Sequence, residues 1–133
     1  MRENFSMEKT VCITKTVLES ILTFSKHLHP KEGILLLRGK TRKDKIVVEE
    51  VILPPKAIHG KSFSAFSPFM LPFDPSIIGS AHSHPSGVLK PSIEDLNFFY
   101  GKIMVIVGFP YYSEQNIAVF NREGKMLKHE IIP

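Results

Sequence analysis

The chain of 133 residues has a single cysteine, Cys12, and no tryptophan. One thiol excludes an intrachain disulfide and any cysteine-rich zinc cluster. No partner base accompanies it, so Cys12 reads as a small buried residue and not as a nucleophile. Long apolar runs are missing as well. The longest, 103–107, is strand-sized, far short of the ~18 residues that a membrane helix needs, so no membrane partner is expected. Met1-Arg2-Glu3-Asn4 offers no apolar core for a secretory signal, and a cytoplasmic location is the expectation. No repeat, low-complexity stretch or linker interrupts the chain, and residues 1–133 read as one domain.

The formal charge is +4. Arg38, Lys40, Arg42, Lys43 and Lys45 account for much of the local basic character. They fall between two apolar runs, where a solvated hairpin turn is the simplest reading. No aromatic residues are interleaved to stack bases, so nucleic acid is not the expected partner.

Residues 14–29 predict a helix. Val17, Leu18, Ile21, Leu22, Phe24 and Leu28 share one face, Thr16 with Glu19 fits a capping box, Thr14 is an alternative cap, and Pro30 ends the run. Residues 34–37 and 46–53 predict two strands around the basic turn. Five prolines in residues 54–75 argue against a long helix there; the segment reads as a loop with a short strand near 63–67. Residues 77–84 predict a buried strand and 92–102 a second helix. Strands follow at 103–109, 116–121 and 126–132, with a turn at 122–124. The fold class is therefore mixed α/β (α+β): one curved sheet flanked by two main helices.

Side chains alternate along a strand, so His82 and His84 share a face while Ser83 points away. Pro85 then stops the strand, leaving two imidazoles at its end. A catalytic zinc takes three protein ligands and leaves one position open, and Asp95, one turn into the second helix, is placed to supply the third. Ser92 and Asp95 have a second reading, because Ser-x-x-Asp before an apolar run also forms a capping box. A hydrolase further needs a base to take and return a proton; Glu32, in Pro30-Lys31-Glu32-Gly33, is the preferred candidate.

Taken together these residues resemble the JAMM (MPN+) zinc metalloprotease family, in its minimal prokaryotic or archaeal form. The family pattern is an upstream Glu, His-x-His, seven residues, Ser, two residues, Asp. Here it reads Glu32, then His82-Ser83-His84, then Ser92 and Asp95, without insertion or deletion. Pro85 and Pro91 also match, and the resemblance spans roughly residues 13–122. It implies a cytidine-deaminase-like core with a mostly antiparallel sheet, Zn2+ on His82, His84 and Asp95, and Glu32 as general base and proton donor. Ser92 would hydrogen-bond the developing oxyanion or the zinc-bound water, and capping would come at the expense of that role.

The implied activity is cleavage of a peptide or isopeptide bond after the Gly-Gly tail of a ubiquitin-like or sulfur-carrier protein. Such a tail binds as an added strand. Residues 62–67 are the expected place for it, with Phe63, Ser64 and Phe66 as substrate-binding residues. Two alternatives stay open. The run His84-Pro85-Ser86-Gly87 also resembles RadC proteins, MPN-like and linked to DNA repair, although those have Asn where this chain has Ser83. A zinc scaffold that binds modifier tails without cutting them has the same sequence signature. An exposed strand and the Pro-rich loop would also suit a homodimer.

Overall fold

The computed structural model describes residues 8–54, 58–59, 64–65 and 74–133. The chain enters on a strand that periodicity did not suggest, β1 (Thr10–Thr14). It is short, and its pairing is wholly non-local: both neighbours run parallel to it and come from later in the sequence. Helix α1 (Lys15–Leu28) starts directly from its end. Thr14 is the cap, its Oγ1 accepting from the Val17 N–H at 3.2 Å, so the expected Thr16–Glu19 box is replaced by the alternative. Val17, Leu18, Ile21 and Leu22 are buried on one face, as the spacing predicts.

Strands β2 (Ile34–Thr41) and β3 (Lys45–Ile52) are longer than expected. Arg38 and Lys40 therefore lie on a strand and not in the turn. Their charges are paired: Arg38 with Glu50 at 3.0 Å and Asp74 at 3.4 Å, Lys40 with Glu49 at 3.9 Å. The short strands β4 (Ile58–His59) and β5 (Ser64–Ala65) pair with each other. Next comes β6 (Ile77–His84), with the predicted bounds.

The second helix, α2, is Ile93–Asn97 only. The expected continuation to residue 102 fails because Phe99 and Tyr100 pack into two different apolar clusters, which no single helical face could reach. Gly101, at φ 79°, then turns the chain. The remaining strands are β7 (Ile103–Gly108), β8 (Ile117–Phe120), β9 (Met126–Leu127) and β10 (His129–Ile132). The last two replace one expected strand, broken at Lys128.

That break explains the curvature. The eight-stranded sheet has the order β10-β1-β3-β2-β6-β7-β8-β9, so β9 and β10 occupy its opposite edges. Leu127 and His129 flank Lys128 alone and cannot be more than about 7 Å apart along the chain. The two edges must therefore meet, and the sheet curls almost closed. Four of its seven pairings are antiparallel. The inner face holds the main core, where α1 packs its apolar stripe onto residues such as Ile13, Leu35, Val48, Val105 and Val119. The outer face carries α2 and a smaller cluster around Phe99, Met104, Ile106 and Phe120. Among the described residues, no helix is long and apolar enough to cross a membrane.

Candidate metal centre

Strand β6 sits between β2 and β7. Its register sets His82 opposite Ile34 on one side and beside Ile106 on the other, so both histidines lie on the outer face near α2. Ser83 faces inward, as alternation requires. His82 is 1% exposed, His84 8% and Asp95 5%: three ionisable groups buried together, a placement that needs mutual compensation.

Their contacts supply it. His84 Nδ1 lies 2.9 Å from the Val88 carbonyl oxygen, which can only accept, so that nitrogen carries a proton. The other ring nitrogen, Nε2, is left facing Asp95 Oδ2 at 2.9 Å. His82 Nε2 contacts Ser80 Oγ at 3.0 Å. Its Nδ1 lies 3.3 Å from Asp95 Oδ1 yet makes no hydrogen bond. Burial pushes the His84 imidazole down, but the hydrogen bonds to Asp95 and Val88, with the charges of Asp95 and Glu32, raise it above its ordinary value. Burial likewise works against the Asp95 carboxylate. Contacts with His82 and His84 and the Ser92 N–H outweigh it and hold Asp95 well below the usual carboxylate range.

Asp95 also caps α2. Its Oδ2 accepts from the Ser92 N–H at 2.8 Å, and Ser92 Oγ accepts from the Asp95 N–H at 3.0 Å. Both readings of Ser92 and Asp95 are thus realised at once: the capping box turns the carboxylate toward the imidazoles and does not draw it away. The Ser92 hydroxyl caps as an acceptor, which leaves its own proton available. The expectation that capping would exclude another role for Ser92 is corrected on that ground.

Glu32 forms a β-bridge just before β2. Carrying the Ile34–His82 register back along β2 sets Glu32 across from His84 on the same face. Glu32, His84 and Ser92 all line one cleft of about 390 Å³, with Ser86, Val88 and Lys90. A larger groove of about 530 Å³ runs along α1 past Phe24, Leu35 and Val51, and contains none of these groups.

The chain is similar to known proteins. The chain matches the model of the prokaryotic homologs of the JAB domain over residues 14–122. It belongs to that family. A probable metalloprotease of Haloferax volcanii is 30% identical over 96% of this chain and 83% of its own length. A solved structure of JAMM, a metalloprotease-like zinc site in the proteasome and signalosome, is 31% identical with a TM-score of 0.67, covering 94% of this chain and all of that one (100%). A JAB1/MPN domain protein from Archaeoglobus fulgidus is 33% identical with a TM-score of 0.67, covering 91% and 98%. Protein DSY2949 of Desulfitobacterium hafniense, at 18% identity and TM-score 0.65, shares the fold.

JAB-domain proteins are typically zinc-dependent, and the residues at the end of β6 fit that metal in type more than in present geometry. Among the described residues, no group of three or more His, Cys, Asp or Glu side chains is arranged to hold a metal ion as it stands. The Asp95 carboxylate is divided, one oxygen toward each imidazole. The donor types nonetheless fit zinc, and His82 Nδ1 is a buried donor-set atom with no hydrogen-bond partner. Ligand atoms around tetrahedral zinc are about 3.3 Å apart, close to the 3.3 Å and 2.9 Å between Asp95 and the two rings.

Of the expected substrate-binding residues, Phe63 and Phe66 lie outside the described residues. Ser64 begins β5, paired with His59, in agreement with the short strand expected there. Ser80 was missed as a site residue. It lies on the same face of β6 as His82, and alternation alone was signal enough to find it. Val88 had no sequence signal, because its contribution is a backbone carbonyl.

Proposed function

We propose that the chain is a zinc metallopeptidase. Its substrate would be a peptide or isopeptide bond after the Gly-Gly tail of a ubiquitin-like or sulfur-carrier protein. The observation that supports this best is the convergence of His82, His84 and Asp95 at the end of β6, beside a cleft that Glu32 and Ser92 line.

His82, His84 and Asp95 would hold the ion through His82 Nδ1, His84 Nε2 and a carboxylate oxygen. They would thereby place the Lewis acidity of zinc at the cleft, which would acidify the attacking water toward a pKa of ~7. Ser80 and the Val88 carbonyl orient the rings from behind, as outer partners of metal-binding imidazoles do. Glu32 takes the proton of the attacking water and returns it to the leaving amine. The Ser92 O–H, left free by its role as a capping acceptor, donates to the oxyanion that develops on the scissile carbonyl. The tail would lie extended along the strand pairing near Ser64, where main-chain hydrogen bonds suit glycines.

The test is a small ubiquitin-like protein fused through its Gly-Gly tail to a reporter. The zinc-loaded chain should release the reporter, and a chelator or Glu32→Gln should stop it. Undiminished cleavage by Glu32→Gln would sink the mechanism. Zinc and tail binding without turnover in the unaltered chain would favour a binding scaffold instead.

A further inference from the structure

The loop after β7 carries an outlier. Tyr111 has φ 62° and is, among the described residues, the one non-glycine residue with positive φ. A bulky side chain in that conformation is costly and persists only where the surroundings over-determine it. Tyr111 is also 1% exposed, and its ring belongs to the inner core. Its hydroxyl is not idle: it lies 2.9 Å from His29 Nδ1. Phe109 stacks on the same imidazole, centroids 4.6 Å apart and planes 22° from parallel, and meets the Tyr111 ring edge-on at 5.7 Å.

This cluster joins two ends of the candidate site. On one side, the Phe109 N–H donates to the His84 carbonyl at 3.1 Å, so the loop is fastened to a proposed zinc ligand. On the other side, the His29 N–H closes α1 on the Ser25 carbonyl at 3.0 Å. From His29 the chain runs through Pro30 and Lys31 to Glu32. Burial, and then the charge of Glu32, push the Tyr111 phenol up, in keeping with a hydroxyl near that carboxylate.

We propose that Tyr111 is a positioning residue: its hydrogen bond to His29 braces the 29–32 segment against the end of β6 and sets where Glu32 stands. The inference rests on the reading of Glu32 as the base. The strained backbone of Tyr111 serves this purpose, because it points the phenol inward under α1 while Phe109 remains on the surface at 50% exposure. Removing the brace lets Glu32 drift, and a displacement of about 1 Å is enough to cost up to about 100-fold in rate.

The experiment uses the zinc-loaded full chain, the reporter fusion described above and amide hydrogen exchange. Tyr111→Phe and His29→Ala should each lower kcat about ten- to hundred-fold with KM unchanged. The double variant should be no worse than either, as for two halves of one interaction. His29→Asn, which keeps a polar atom near the Nδ1 position, should restore most of kcat. Exchange of the Gly33 amide should quicken in Tyr111→Phe and His29→Ala but not in His29→Asn. Tyr111→Phe with unaltered kcat and Gly33 protection would overturn the brace. So would additive losses, or a loss that His29→Asn fails to repair. An active Glu32→Gln variant, by contrast, would remove the reading of Glu32 as the base, whatever Tyr111 does, and an unaltered chain without turnover would remove the function reading itself.

Discussion

Ser83 and Gly33 bind each other twice: the Gly33 N–H donates to Ser83 Oγ at 2.8 Å, and the Ser83 N–H donates to the Gly33 carbonyl at 3.0 Å. The residue between the two histidines thus fastens the one that follows Glu32. Ser83 is 2% exposed, so Ser83→Ala would leave the Gly33 N–H buried without a partner. A loss of about 1–3 kcal/mol is expected, read as a lower urea midpoint at unchanged slope. Turnover should fall with it, because the same bond holds the Glu32 segment against β6.

Asp95 and Ser92 share a capping box but differ in what else they do. Asp95→Asn keeps an oxygen that can cap Ser92 and removes the charge that faces the two imidazoles. Zinc content by elemental analysis should drop from one equivalent to a small fraction. Ser92→Ala should retain zinc, lose about 1 kcal/mol of stability through the missing cap, and lose turnover. Equal zinc loss in both variants would contradict this division of roles.

The entry to β6 depends on Asp74, whose Oδ1 accepts from Ser76 Oγ at 2.6 Å and from the Ser76 N–H at 3.0 Å. These bonds, with Arg38 adding to them, lower the Asp74 carboxyl from its ordinary value of 3.8. A carboxyl lowered on folding contributes stability above its unfolded pKa and loses it as pH falls through the folded one. The thermal midpoint should therefore fall as pH drops from about 5 to below 3.8. Asp74→Asn should flatten that dependence and leave the midpoint near pH 7 slightly lower. An unchanged pH slope in the variant would count against it.

Gly79 lies where β6 crosses β7, paired with Ile103. A Cβ there would run into the Ile103 carbonyl oxygen, which is backbone and cannot swing aside. Gly79→Ala should cost about 1–3 kcal/mol, in the range of overpacked cores. Because His82 follows on the same strand, zinc affinity should weaken too. Calorimetric unfolding with a parallel zinc titration measures both, and a variant with unaltered zinc affinity would show that β6 absorbs the shift before His82.

Much of the site was legible because its parts are local. Alternation placed His82 and His84 on one face of β6. Ser92 and Asp95 sit one helical turn apart, and their spacing announced both a cap and a candidate ligand. The predicted bounds of β6 held because turn and proline residues frame an apolar run. By contrast, the end of α2 is not legible in the sequence, since Phe98, Phe99 and Tyr100 look helical until the clusters that claim two of them separately are known.

The sequence by itself determined the family, the residue types of the candidate site and the strand that delivers the two histidines, because those follow from spacing over a few residues. Tertiary structure alone decided the rest. β1 exists only through partners from later in the chain. The break at Lys128 sends β9 and β10 to opposite edges and curls the sheet. The pairing of β2 with β6 brings Glu32 across from His84 although 52 positions separate them. The fold likewise brings Tyr111 to His29 from 82 positions away. Such contacts depend on register and curvature, which no local pattern of residues encodes.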